Sequence, residues 1–354
     1  MEVILTIGLI SIKGATTIMK NRIFDFCFAL GLCMSLFSVA HAQTVVLAVP
    51  GPGNLPFLPV YLAKAIEADH AEGLELKLRY LNGGPLAMRD LMSNNSDFAV
   101  IGLPAIAEAR ADNMSVIAIG QLSQSAMFVL LLRTELKGQV HSIAELKGMR
   151  IGTASSTKSQ RSMGQMMTEF LIQNAGLRSN DVQFIATGLN RESQRAALAS
   201  ASVDAIMADE PFASELVTQG LAVRLADLYP QNQSSKLLGG SIIRAALATR
   251  EDVSVRYPQV VRKVQRMFER SLDWLSTHSA QEVMDKLANQ PGFDATSRKL
   301  IADILQSNQN IFPKRLAWDT QAVTKTESFF HNMAANPKES KLLFSDFVRS
   351  VPVD

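Results

Sequence analysis

The stretch from Thr44 to Pro104 does most to limit what this chain can fold into. An apolar run, Val45–Val49, enters a loop holding Pro50, Gly51, Pro52 and Gly53. Helical composition follows over Val60–Ala68, with Leu62 and Ile66 stacked one turn apart. Leu74, Leu76, Leu78 and Tyr80 alternate with Glu75, Lys77 and Arg79, the period of a strand that buries one face. Gly83-Gly84-Pro85 opens a second helix, where the missing N–H of Pro85 costs nothing. Phe98–Ile101 is a fully apolar strand that ends in Gly102-Leu103-Pro104. Strand, helix, strand, helix, strand predicts a parallel sheet with right-handed crossovers. In such a sheet, ligands bind at the carboxyl edge of the strands, where each strand here meets a Gly- or Pro-marked loop.

The rest of the chain repeats this grammar. Ala105–Ala111 reads as a helix, and Val116–Ile119 and Met127–Leu132 read as strands. Ser142-Ile143-Ala144-Glu145 is a capping box, and Arg150–Thr153 is a strand that empties into Ala154–Ser159. A helix with Met163, Met167, Phe170 and Leu171 on one face comes next, then a strand over Val182–Ala186 and a helix over Arg191–Ala199. Asp97–Pro104 and Asp204–Pro211 share one layout: Asp, four apolar residues, two variable ones, Pro. This internal duplication predicts two α/β lobes of one design. The expected division is 43–132 with 240–354 in the first lobe and 133–239 in the second. That places the first crossing near the end of Met127–Leu132 and a return strand in Leu237–Ala248. From Arg256 the chain turns helical, with Val261, Val264, Phe268 and Leu272 as one buried stripe.

At the N-terminus, Met19-Lys20-Asn21-Arg22 is a basic head, Phe26–Val39 an apolar run, and Ala40-His41-Ala42 a small-x-small cleavage site. That pattern is a secretory signal peptide, too short to span a membrane. Residues 1–42 are expected to be removed, with Met19 as the initiator. Leu32 before Cys33 is too bulky for a lipoprotein site. Both cysteines, Cys27 and Cys33, leave with the signal, so disulfides are not expected to hold the fold. A net charge of +2 without a basic block argues against nucleic acid as a partner. No other stretch reaches spanning length, so the mature protein is not expected to cross a membrane.

Helix starts bind anions, and Ser155-Ser156-Thr157 adds three hydroxyls to one. These side chains either grip a polar group of a ligand or cap the helix. Gly83 and Gly84 either let backbone approach a ligand or make a tight turn. Catalytic motifs do not emerge. His70, His141, His278 and His331 stand alone, in no metal-ligand spacing. Walker, GxSxG and HExxH patterns are absent from the sequence, and Pro50–Gly53 is no dinucleotide fingerprint. No cofactor, metal or catalytic residue is expected.

The ordered series LPVYLAKA, YLNGGP, SDFAVIGLP, SIAELKGMRIGT and SVDAIMADEP resembles the solute-binding proteins of ABC importers for nitrate, sulfonates, taurine and thiamine precursors. The resemblance covers roughly Val45–Leu228. It implies the two-lobed α/β fold of type II periplasmic binding proteins, with open, mostly parallel sheets and a helical C-terminal region. It also implies a monomer in the periplasm that closes on a small polar or anionic solute and delivers it to an inner-membrane ABC permease. Asn54, Phe57, Leu103, Asn190 and Glu210 then fall on cleft-facing loops, with Glu210 able to meet an amine or hydroxyl. A helix-start carboxylate in solvent is the plainer role for Glu210. The alternatives are a pyrimidine-precursor synthase-like enzyme of the same fold and the ligand-sensing subunit of a receptor.

Overall fold

Two five-stranded sheets of one plan carry the chain in this computed structural model, which describes residues 42–154, 161–188, 190–308 and 310–350. The first sheet runs β2 (Leu74–Leu81), β1 (Gln43–Pro50), β3 (Phe98–Ile101), β10 (Ala246–Arg250), β4 (Val116–Gln121). The second runs β7 (Gln183–Ala186), β6 (Arg150–Thr153), β8 (Ala205–Asp209), β5 (Phe128–Arg133), β9 (Ala222–Asp227). In each, the first three strands are parallel and the fourth is antiparallel to both neighbours. The sheets are therefore mixed, and the antiparallel place is filled by a strand that arrives from the other lobe's side of the chain.

The duplication read from the sequence is physical. Asp97 and Asp204 stand just before β3 and β8, the middle strands. The Asp97 carboxylate accepts from the Val46 N–H of β1 at 2.9 Å, and the Asp204 carboxylate accepts from the Arg150 N–H of β6 at 2.9 Å. Each Asp also donates its own N–H back, to the carbonyls of Val46 and Arg150. One side chain thus satisfies the free edge of the neighbouring strand in both lobes, where an unpaired buried N–H would be costly.

Strand β1 shows why the opening stretch folds as it does. Val45, Leu47 and Val49 enter one apolar core and Ala48 another, so helices cover both faces of the sheet. β1 pairs with β2 from Gln43 opposite Leu74 to Pro50 opposite Leu81. The first helix is Leu58–Ala65, and Glu67 then breaks it in the left-handed conformation. A buried Asp69 takes the Leu76 N–H at 2.8 Å and the Lys64 ammonium at 2.9 Å, which ties the turn to β2. The Pro258–Thr277 helix packs on Leu58–Ala65 through the expected stripe of Val261, Val264, Phe268 and Leu272.

Two expectations are corrected. Met127–Leu132 was assigned to the first lobe, yet its strand, β5, pairs with β8 and β9 of the second sheet. The chain passes between sheets at residues 122–127, before this strand and not after it. A fully apolar strand carries no pattern that says which sheet it completes. The return segment is also shorter than Leu237–Ala248. Leu237 and Leu238 end a helix, Gln231–Leu238, that Gly239 stops at φ +71, and the strand proper is Ala246–Arg250. Among the described residues, no helix is long and apolar enough to cross a membrane.

Candidate ligand-binding cleft

The carboxyl ends of β1, β3 and β8 converge, and loops from both lobes touch there. After β1, Asn54 donates to the Pro50 carbonyl at 2.6 Å, which closes the Pro-Gly loop on itself. The buried Tyr61 hydroxyl donates to the Gly51 carbonyl at 2.7 Å, and burial pushes its pKa upward. Gly53 has no room for a side chain, since a Cβ would lie 2.2 Å from the Gly292 carbonyl oxygen. The loop then crosses to the second lobe: Leu55 N–H donates to the Glu210 carbonyl at 3.1 Å, and the Arg191 guanidinium donates to Asn54 Oδ1.

Arg244 occupies the centre of this meeting. It lies on the return segment before β10, in the run Ile242-Ile243-Arg244-Ala245-Ala246. Its guanidinium is 5.4 Å from the Phe57 ring centroid and 4.8 Å from that of Phe128. Asp209, the last residue of β8, takes its Nε and Nη2 donors at 3.1–3.2 Å. Nη1 holds no hydrogen bond among the described residues. The Arg244 side chain is 12% exposed and that of Asp209 27%. A cation held between two aromatic faces is positioned without flexibility, and its free edge can take a ligand acceptor. Gly102 lies beside it: a Cβ there would meet the Arg244 carbonyl at 3.5 Å, Met163 Sδ at 3.7 Å and Nη1 at 3.8 Å, all ordinary contacts.

Glu210, expected at the cleft, faces the other way. Its carboxylate is fully buried and accepts from Ser214 N–H and Oγ, Arg224 and Tyr229, at 2.7–3.1 Å. Burial by itself would lower the Arg224 pKa, but the charges of Glu210, Tyr229 and Asp227 raise it. Strand parity explains the swap. Ala205 and Met207 enter one core and Ile206 and Ala208 another, so Asp209 and Glu210 must point to opposite sides. Two successive carboxylates at a strand end were the legible signal, and the second is a structural hub.

The other expected residues scatter. Phe57 is buried beneath Arg244, as described, while Leu103 starts the Leu103–Ala111 helix as a core residue. Gly83 and Gly84 flank the end of β2, and Gly83 sits at φ +101, which favours glycine. Asn190 caps the Arg191–Ala199 helix through Oδ1 to Ser193 N–H at 2.8 Å, and its neighbour Arg191 is the one that reaches across the cleft. Ser155, Ser156 and Thr157 lie outside the described residues. Sequence reasoning missed Arg191, Arg244, Asp209 and Phe128. A lone arginine inside an apolar run was the available clue, since a buried cation needs a partner. Among the described residues no group of His, Cys, Asp and Glu could hold a metal.

Known proteins resemble this architecture. A family model described as NMT1/THI5 like matches residues 54–282. YtlA of Bacillus subtilis (strain 168), named as a binding protein, is 23% identical over 276 residues, 77% of each chain. A solved structure from Bordetella bronchiseptica RB50 superposes with a TM-score of 0.76 at 18% identity, over 87% of this chain and 95% of that one. The alkanesulfonate-binding protein SsuA from Xanthomonas axonopodis pv. citri, solved with MOPS bound, gives 0.68 at 16% identity, over 87% and 98%. The desulfurization enzyme DSZB shares the fold as well, with 0.60 at 15% identity, over 87% and 96%. At these identities the structures share the periplasmic binding protein fold.

Proposed function

The chain belongs to the NMT1/THI5-like family, and on that premise we propose that it is an extracytoplasmic solute-binding protein. Two lobes close on a small polar or anionic solute, and the closed form hands it to an ABC permease in the membrane. Residues 1–42 direct export to the periplasm and are removed. The observation that carries this reading is Arg244, paired with Asp209 and held between Phe57 and Phe128 where the edges of both sheets meet. Binding proteins of this fold, SsuA among them, support it. Closure supplies the mechanism: one lobe's contacts bind the solute, and contacts added by the second stabilise the closed form. A thermal-shift screen of sulfonates, nitrate, taurine and pyrimidine precursors tests the reading. A hit should raise the melting temperature and come back chemically unchanged. Turnover of any solute would move the protein to the enzymes that share the fold, and the absence of any hit would count against solute capture.

A further inference from the structure

The two arginines at this meeting of the lobes come with their own counter-ions. Arg244 is paired with Asp209, and Arg191 has the Glu215 carboxylate 3.6 Å from its Nη1. Each pair sums to zero, so neither offers a lone anion an unmatched cation. The Arg244 pair is nevertheless not saturated. Among the described residues, no other group donates to the Asp209 carboxylate and none accepts from Arg244 Nη1. The Asp209 side chain keeps 27% of its surface exposed, against 12% for Arg244. Asp209 Oδ2 lies 3.1 Å from Nη2, and Nη1 shares a guanidinium carbon with Nη2. The pair therefore presents a charged acceptor and a charged donor side by side. A carboxylate, sulfonate or nitrate brought alone to Nη1 meets the Asp209 charge at the same time, and like charges repel strongly in a site this buried. An ammonium on the same solute turns that repulsion into a second ion pair.

We propose that the solute is an α-amino acid with an uncharged side chain, its carboxylate on Arg244 Nη1 and its ammonium on Asp209. The inference rests on the solute-capture reading above and narrows it. In an α-amino acid both charges hang from one carbon, which suits an acceptor and a donor that flank a single atom, Nη2. Gly102 indicates where the side chain goes. Met163 Sδ and Arg244 Nη1 lie 3.7 and 3.8 Å from the place a Gly102 Cβ would take, so a chain leaving the α-carbon runs against a thioether. A charged side chain would find its nearest candidate partner, Arg191, already matched by Glu215.

Titration calorimetry of the parent protein against the uncharged protein amino acids tests this. At least one should bind, and L-glutamate and L-lysine should bind more weakly than it does. The same amino acid without its amine, or without its acid, should lose at least about tenfold in affinity, because each analogue leaves one charge of the pair facing nothing. For L-leucine these analogues are isocaproate and isoamylamine. Asp209→Asn should weaken the amino acid and bring the amine-free acid closer to it, a reversal of preference that loosened folding would not produce. The analogue series is read in the parent, so it stands whether or not that variant folds. An amine-free acid, ethanesulfonate or nitrate binding the parent as tightly as any amino acid overturns the inference and leaves solute capture standing. Silence from every uncharged amino acid overturns it as well. A hit elsewhere in the thermal-shift screen would then keep the capture reading, and no hit at all would take both down.

Discussion

Asp209 holds the Arg244 guanidinium through both carboxylate oxygens, at 3.1–3.2 Å, where the carboxyl edges of the two sheets meet. The pair joins β8 of the second sheet to the return segment that feeds the first. Its arginine is neutralised on one edge, and its Nη1 holds no hydrogen bond among the described residues.

Replacing Arg244 should therefore cost both stability and binding. Each cation–π contact is worth about 0.5–2 kcal/mol, and Asp209 would lose the one cation paired with it among the described residues. Arg244→Met should lower unfolding free energy by about 1–3 kcal/mol and weaken solute binding at least about tenfold, a loss near 1.4 kcal/mol. Combined with Asp209→Asn, the stability losses should sum to less than the singles, because contacting residues couple. Strictly additive denaturation energies would show that the pair does not interact in solution.

Glu210→Gln should behave differently. The carboxylate has four donors and no exposure, and hydrogen bonds to a charged group are worth about 1.5–3 kcal/mol each, so the melting temperature should fall by many degrees. Solute affinity of the folded variant should stay within a few-fold of the parent. A large affinity loss with an unchanged melting temperature would return Glu210 to the cleft.

These two neighbours mark where the sequence stopped being legible. Alternation in Leu74–Tyr80 and the Gly-Pro helix start were readable because period and backbone chemistry are local properties. The paired layouts of Asp97 and Asp204 were readable because each Asp does the same local job in each sheet. Which face a strand-end carboxylate takes depends on parity against a core that only the folded sheet defines, so the sequence points to Glu210 and leaves Asp209 unread. The sheet membership of β5 was hidden for a related reason: an all-apolar strand fits any buried slot, and it is long-range pairing with β8 and β9 that selects one. Arg244 was missed because its partners, Phe57, Phe128 and Asp209, are distant in sequence.

A pH dependence follows from Glu108 on the Leu103–Ala111 helix. Burial, then the nearby charge of Glu339, pushes its carboxyl up to about 7 from an ordinary 4.5. Between those values the unfolded chain releases a proton that the folded chain keeps, so Glu108 makes stability fall as pH rises from 4.5 to 7. The penalty then stays constant above 7. Glu108→Gln should flatten that slope and stabilise the protein at pH 8, read as denaturation midpoints across the range. An unchanged slope would show that Glu108 is hydrated in solution.

Export should leave Gln43 as the first residue. Gln43 begins β1, and its N–H donates to the Gly73 carbonyl at 3.0 Å, so cleavage after Ala42 would leave the strand whole. Mass analysis of secreted protein should begin at Gln43. Retention of residues 1–42, or a lipid on Cys33, would refute the signal assignment.

The central claim is capture of an unchanged solute by closure of two lobes, and small-angle scattering tests it most directly. A solute that raises the melting temperature should also reduce the radius of gyration. At about 100 Kd it should add roughly 2.7 kcal/mol of stability. The account expects compaction, together with full recovery of the solute after long incubation. A melting shift with no compaction, or conversion of the solute to product, would contradict it.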